Sequence, residues 1–257
     1  MIKIVLIGSG NLAQHLIVAF NKAHKHSENI DLIQVYARDE QKLAHLLPSD
    51  KITSSFEALK DADLYILAVS DNAIESVSGQ LPFQNKLVVH TSGAASLDFL
   101  DSKNRKGVFY PLQSFIINKK VNFKKIPLCL ETQYESDFEL LENVAKSISN
   151  QTHAINSEQR KTLHVAAVFV NNFANHLFAI GQDLCIENKM PFEILQPLIQ
   201  ETVDKISILS PTEAQTGPAL RHDSKTIAAH EQFLKNENQL NIYKILTQSI
   251  QDNGKKL

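Results

Sequence analysis

Cysteine is scarce. The 257 residues hold two, Cys129 and Cys185, far apart and each among apolar neighbours. Neither belongs to a Cys-x-x-Cys pair, which argues against a disulfide framework and a zinc site, and both thiols read as inert packing groups. Charge of one sign is equally scarce: 26 Lys and Arg face 28 Asp and Glu, and the formal net charge is −2. No basic run is longer than a few residues, so the footprint expected of a nucleic-acid partner is missing. The chain's N-terminus lacks a long apolar run, since Ile4–Ile7 is interrupted upstream by Lys3. That is strand length, short of a signal peptide or a membrane span, and the expectation is a cytoplasmic protein with no membrane partner. Lys255 and Lys256 read as a solvated tail. Neither an internal repeat nor a low-complexity segment is visible.

What is present is a globular composition, 43% hydrophobic and 21% charged, in a chain long enough for two domains. Residues 1–155 alternate short apolar runs with amphipathic ones, the habit of an α/β fold with a mostly parallel sheet. Strands are expected at Ile2–Ile7, Asp31–Ala37, Asp63–Val69 and Lys86–Thr91, with further ones at Gly107–Tyr110, Ile126–Leu130 and Gln151–Ile155. These runs are nearly continuous in Val, Ile and Leu, as strands are when helices cover both faces of their sheet. A helix from Asn11 to about Lys25 puts Leu12, Leu16, Ala19 and Phe20 on one side.

After Asn156 the pattern becomes helical. Asn156 or Ser157 can cap a helix reaching about Asn188, some ~30 residues, long for a globular helix and expected to be buried over much of its length. Pro191 begins a second helix, and Pro211 and Gly217-Pro218 break the chain. Asp223 can cap a helix to about Asn236, and Asn238 or Asn241 a last one to about Asp252. The expected organisation is a sheet domain over 1–155 and an all-helical domain over 156–257.

The string Gly8-Ser9-Gly10-Asn11-Leu12-Ala13 follows a strand and opens a helix, the context that gives Gly-x-Gly-x-x-Gly/Ala its meaning. The first glycine permits a tight turn, the second lets backbone approach a pyrophosphate, and Ala13 allows close helix–sheet packing. Amides at the helix N-terminus then face the phosphates. This is the signature of a dinucleotide-binding Rossmann domain. An NAD site usually has a carboxylate at the end of the second strand. Here the chain reads Tyr36-Ala37-Arg38-Asp39. Arg38 can clamp a 2′-phosphate bidentately, which favours NADP over NAD. Two alternatives stay open: Arg38 as an ordinary surface arginine, and Asp39 in the ribose position after a one-residue shift. Two more strand ends should border the cofactor: Val69 and Ser70 before Asp71, and His90, Thr91 and Ser92 before Gly93. Ser70 or Asp71 can equally cap the next helix, and His90 can equally be a satisfied core histidine.

With these marks the chain resembles the Rossmann family that groups pyrroline-5-carboxylate reductase, the deazaflavin-linked NADP oxidoreductases and the 3-hydroxyacid dehydrogenases. More closely it is similar to a bacterial branch of that family with a helical C-terminal domain of unknown function. The resemblance rests on the glycine string, on His90-Thr91-Ser92-Gly93 and on Tyr110-Pro111-Leu112-Gln113-Ser114-Phe115. It rests more specifically on His164-Val165-Ala166-Ala167-Val168-Phe169 with Asn171-Asn172, and on Thr216-Gly217-Pro218-Ala219 with Arg221, Asp223, Thr226 and His230. Two positions depart from the family pattern. Tyr110 stands where His is usual, and His222 where Gly usually separates the Arg–Asp pair. The resemblance implies a nicotinamide-dependent oxidoreductase, dimeric through its C-terminal helices. It also implies a catalytic helix at 157–188, whose related members carry a base and a nearby Asn there.

The residues themselves point the same way. On the long helix His164, Asn171, Asn172 and Asn175 fall on or near one stripe, and polar groups on an apolar helix must find partners or line a cleft. The candidate catalytic residues are His164 for proton transfer, Asn172, Arg221 as a fork for a substrate carboxylate, and Asp223, which is also a natural N-cap. A buried histidine bonded to a carbonyl is the alternative for His164. The apolar stretch Val165–Ile180 carries more surface than a lone ~100-residue helical domain needs, which predicts a homodimer. The expected activity is NADP-dependent oxidation or reduction of a small carboxylated carbonyl, imine or hydroxy compound, in the cleft between the two halves. The family's usual catalytic lysine is missing, which keeps a non-catalytic NADP-binding or sensing protein as the second reading.

Overall fold

The structure is a computed structural model that describes residues 1–26, 29–117 and 119–254; Lys255 and Lys256 lie outside the described residues. Strand β1 (Ile2–Ile7) shows why the sheet forms as a buried layer. Its Ile4 and Leu6 point to one face and its Val5 and Ile7 to the other, and all four are fully buried. Alternation along a strand sends successive side chains to opposite faces, so a strand apolar on both needs cover on both. On the first face helix α1 (Asn11–His26) packs Ala13, Leu16, Ile17 and Phe20. Helix α3 (Phe138–Ile148) adds Leu141, Val144, Ala145 and Ile148. On the second face lie the short helix α2 (Ile74–Gly79) and the turn bearing Leu97 and Leu100. Cover on both faces is as expected, although single turns of 3-10 helix do much of the work on the second.

The remaining strands are β2 (Ile30–Tyr36), β3 (Ile52–Thr53), β4 (Leu64–Leu67), β5 (Leu87–His90), β6 (Arg105–Pro111), β7 (Leu128–Thr132) and β8 (Thr152–Ala154). They form one sheet in the order β3-β2-β1-β4-β5-β6-β7-β8. Every neighbouring pair is parallel except β6 and β7. The chain leaves β1 in one direction, through β2 and β3, and returns to its other side at β4. The carboxyl ends of β1 and β4 therefore flank the switch point where α/β sheets bind ligands. Strand β3 was not expected, because two residues leave no periodicity to read.

Asn156 caps the long helix. Its side chain accepts from the Gln159 amide while the Gln159 side chain accepts from the Asn156 amide, a reciprocal capping box. The helix then runs as α4 (Ser157–Ala167), a π-helical segment over Val168–Phe173, and α5 (Ala174–Glu187). Two expectations need correction. Burial over much of its length does not hold: Arg160 is the one buried residue of α4, α5 has none, and Val165 and Val170 are 56% and 77% exposed. Apolar periodicity reports a need for cover, and not whether the same chain supplies it. The α-helical spacing that put four polar residues on one stripe is also broken, because a π segment pairs i with i+5 and turns less per residue. By length and composition Ser157–Glu187 is apolar enough to cross a membrane.

Contacts divide the chain into Met1–Val170 and Asn171–Leu257. Within the second unit, α6 (Gln196–Lys205) follows the turn that begins at Pro191. Helix α7 (Ser224–Phe233) is capped by Asp223, as expected. The last helix, α8 (Glu237–Gly254), starts earlier than expected. Its first amides, on Asn238 and Gln239, donate to the Asn236 side chain, so Asn236 takes the cap role proposed for Asn238 or Asn241.

Within the first unit, α4 is tied to the sheet by a fully buried arginine. Arg160 Nε donates to Glu131 Oε2 at 3.0 Å, and Nη1 donates to the carbonyls of Ser92, Gly93 and Ala95 at 3.3, 3.2 and 2.7 Å. Removing one member of a buried charge pair leaves the other uncompensated, at a cost of about 3–5 kcal/mol. Arg160→Met is therefore expected to lower unfolding free energy by about that much in urea denaturation. A loss below about 1 kcal/mol, the range of an exposed ion pair, would show that the guanidinium does not anchor the helix.

Candidate active site

Parallel strands point their carboxyl ends to one edge of the sheet, and the residues that follow β1, β2, β4, β5 and β6 meet there. After β1, Gly8 takes φ +138°, a conformation L side chains rarely adopt, and a Cβ on it would stand 2.2 Å from the Ala68 carbonyl oxygen beyond β4. This position admits only glycine. A Cβ on Gly10 would meet nothing within 4 Å. The turn is thus pressed against β4 on one side and open on the other, the side from which a phosphate group can reach backbone amides. The first turn of α1 carries no acidic side chain, so an anion meets no carboxylate on that turn. Ser9 is half-buried and Leu12 partly covered, while the Asn11 side chain donates to the Phe115 carbonyl at 2.9 Å. His15 adds a 2.9 Å bond to the Ile116 carbonyl, so the segment after β6 is stitched onto α1 beside the glycine turn.

At the end of β2 the Asp39 carboxylate accepts from the Gln41 amide at 3.2 Å and caps a 3-10 turn. Arg38 is exposed, with no hydrogen bond or ion pair among the described residues. The geometry therefore employs the carboxylate in the fold and leaves the guanidinium available. Beyond β4, Val69 is partly buried and Ser70 exposed. Ser70 stands in the N-cap position of the next turn, but its side chain makes no cap bond.

The end of β5 is organised differently. Thr91 donates its amide and its hydroxyl to the Leu67 carbonyl, tying β5 to β4, and Ser92 Oγ accepts from the amides of Ala94 and Ala95. His90 is fully buried. Its Nδ1 accepts from the Ser92 amide at 3.2 Å, which leaves the proton of the neutral ring on Nε2, and Nε2 has no hydrogen-bond partner among the described residues. Burial, with the nearby Arg160 charge second, pushes its pKa down to about 4. His90 is thus a neutral core histidine whose side chain serves the turn.

One strand further on, Tyr110 and His164 meet over that turn. The Tyr110 hydroxyl lies 3.4 Å from His164 Nδ1 with the rings edge to face, and a Cβ on Gly93 would fall 2.6 Å from both rings. Arg160 and His164 are four residues apart on α4, so one face of the helix delivers both to the Ser92–Ala95 turn. Sequence reading singled out His164 and overlooked Arg160. The available signal was the i, i+4 spacing of the two.

The predicted residues of the second unit are exposed or bonded locally within it. Asn172 lies exposed in the π segment, and Arg221 is exposed. Asp223 accepts from the Thr226 amide at 3.1 Å and hydroxyl at 2.7 Å, and the hydroxyl bond above all holds its pKa below the usual carboxylate range.

Comparison with known proteins fits this geometry. Residues 3–93 match the family of coenzyme F420-dependent NADP oxidoreductases, and residues 126–250 match a domain family of unknown function, DUF2520. A solved Bacteroides fragilis structure, described as an NADP oxidoreductase, is 35% identical, with 98% of each chain covered and a TM-score of 0.86. The chain belongs to the NADP oxidoreductase family. The fold of this oxidoreductase is shared more widely. A Thermotoga maritima protein at 19% identity covers 98% of both chains with a TM-score of 0.75. Plasmodium falciparum pyrroline carboxylate reductase with NADP bound, at 14% identity, covers 97% of this chain and is covered over 98% of its own, with a TM-score of 0.61. No curated protein matches at a significant level.

The buried neutral His90 gives the oxidoreductase a pH-dependent term with a definite sign. Unfolded, the ring titrates near 6.5; folded, near 4. Its contribution is complete above the unfolded value and is lost as pH falls through the folded one, by about 3 kcal/mol in all. Urea melts at pH 7 and pH 4 should show His90→Asn losing about that much less stability than wild type over the interval. Parallel losses in the two proteins would rule out a depressed His90.

Proposed function

We propose that this oxidoreductase uses NADP(H) to reduce or oxidise a small carboxylated carbonyl, imine or hydroxy compound. The observation that carries the reading is the glycine turn: Gly8 fits nothing larger against β4, and Gly10 leaves its outer side open at an uncharged helix N-terminus. The residues fit a dinucleotide. Backbone of Ser9 to Leu12 would hold the pyrophosphate, Arg38 a 2′-phosphate, Val69 and Ser70 the strand end nearest the switch point, and the His90–Ser92 backbone the nicotinamide side. When bound, the nicotinamide supplies or accepts a hydride. The protein's own part is to orient, to exclude water, and to move one proton, for which His164 stands at the edge beyond β5.

The proposal keeps the expected place of the active site, the cleft between the two halves, with Asn172 and Arg221 addressing the substrate and Asp223 setting the start of the helix beside Arg221. A non-catalytic sensor stays the second reading, supported by the missing lysine; NADPH binding with no NADPH oxidation across keto acids, imines and hydroxy acids would favour it. Titration with NADPH and NADH tests the phosphate clamp. Wild type should prefer NADPH, and Arg38→Ala should lose on the order of 1.5–3 kcal/mol for NADPH, about tenfold or more, with little change for NADH. Equal affinity of wild type for both cofactors would sink the clamp.

The homodimer belongs to the same proposal. Val165, Val170, Leu177, Ile186 and Leu198 present apolar surface in a single chain, and such surface calls for a partner. A second copy is a better partner than lipid. The same helix carries Asn171, Asn172, Asn175 and His176 along its middle, and polar groups are costly at a bilayer centre. Light scattering at micromolar concentration should return twice the chain mass of 28.8 kDa. A single-chain mass would count against the dimer.

A further inference from the structure

We propose that Tyr110 is a positioning residue for proton transfer: its hydroxyl, held against His164 Nδ1, makes Nε2 the ring atom that gives and takes the proton. The inference rests on the oxidoreductase reading for its purpose, and on geometry within Met1–Val170 for its substance. Tyr110 is the next-to-last residue of β6, 9% exposed, and burial pushes its pKa up from the ordinary tyrosine value, so the hydroxyl stays protonated. A buried hydroxyl needs a partner, and among the described residues its partner is His164 Nδ1 at 3.4 Å. That is long for a hydrogen bond, as catalytic contacts often are before substrate binds.

Three elements hold the pair. Gly93 admits both rings because it has no Cβ; an added one would stand 2.6 Å from Nδ1 and 2.9 Å from the Tyr110 oxygen. The Gly93 carbonyl is itself bonded to Arg160, four residues before His164 on α4. The His164 ring is therefore gripped on its Nδ1 side by β6, by the β5 turn and by its own helix. Nε2 has no partner among the described residues, and His164 is half-buried, which leaves this nitrogen as the accessible one.

A hydroxyl oxygen suits this post because it accepts from an N–H. In the neutral ring the proton sits on Nδ1 and is donated to the Tyr110 oxygen, which leaves Nε2 free to take a proton. In the imidazolium Nδ1–H keeps the same bond, and Nε2–H is the proton to be given. Nε2 faces outward in both states, so the ring need not turn over during a cycle. In the reductive direction the substrate carbon receives a hydride with its two electrons, and the π pair of the broken C=O or C=N bond moves onto oxygen or nitrogen. The Nε2 proton of the imidazolium passes to that atom, the ring is left neutral with its proton on Nδ1, and water restores the proton on Nε2. In oxidation every transfer runs backward. A carboxylate in this post would stabilise the charged ring far more than the neutral one, whereas an uncharged phenol oxygen discriminates less between them.

The test needs no substrate, so its outcome is separate from that of the oxidoreductase reading. Nitrogen-15 NMR of the full-length protein, at a pH where the ring is neutral, reports which ring nitrogen of His164 carries the proton, with His164→Gln assigning the signal. Wild type should show the Nδ1–H form. Tyr110→Phe, which keeps the ring and loses the hydroxyl, should show a mixture of both tautomers with an unchanged fold by circular dichroism. If Tyr110→Phe unfolds, Gly93→Ala, which forces the two rings apart, should give the same mixture. An Nδ1–H form undiminished in a folded variant, or an Nε2–H form in wild type, overturns the proposal. Once a substrate is found, Tyr110→Phe should lower kcat by about tenfold while NADPH affinity stays unchanged; equal kcat in the two proteins also overturns it.

Discussion

A positive charge with no access to water must be satisfied wholly by its neighbours, and Arg160 is such a charge. Glu131 compensates it from β7, three carbonyls of the turn after β5 accept from Nη1, and Ser157 Oγ accepts from Nη2. Much of the first unit's working edge follows from that requirement. The turn has to bring the Ser92, Gly93 and Ala95 carbonyls together, which explains its small residues and the two amide bonds into Ser92 Oγ. Helix α4 has to enter over the sheet at a fixed height, which explains the capping box at Asn156. His164 then arrives one helical turn later over Gly93. The arginine thereby determines where His164, the proposed proton-transfer group, stands.

The edge divides its side chains between two duties. Those of His90, Thr91, Ser92 and Asp39 are bonded into turns, and Asp223 is bonded into a helix cap. Those of Arg38 and Ser70 are left without such bonds, and the glycine turn offers backbone alone. A dinucleotide would thus be met chiefly by amides on rigid strand ends, with few side chains that must be frozen on binding. Such preorganisation lowers the entropic cost of holding a long, flexible ligand.

Local chemistry was legible in the sequence to the extent that it is local. Ile4 to Ile7 announce a strand buried on both faces, Gly8 a tight turn, and Asn156 and Asp223 helix caps, and each is found in that role. Partnerships between distant segments were not legible. Nothing around Arg160 says that carbonyls from residues 92–95 will meet it, and nothing around Tyr110 says that it will face His164. The apolar stretch from Val165 onward was read as buried because hydrophobicity measures the need for contact and is silent on its source. His90 shows the reverse case: a polar residue in a functional-looking string turned inward because its strand continues through the sheet.

The π segment Val168–Phe173 has an arithmetical consequence. A π turn holds one residue more than the α turn it replaces, so the helix carries a surplus residue in the middle of its length. Deleting one residue there would let α-type pairing run through from Ser157 to Glu187. Everything from Ala174 onward would then be rotated by about 100° and drawn back by about 1.5 Å along the axis. The side chains that α5 offers to one side would be exchanged for a different set, with the sequence of α5 itself untouched. A single codon in this segment thus decides which residues of α5 share a helical stripe with those of α4. Asn171 and Asn172 sit where that phase is decided.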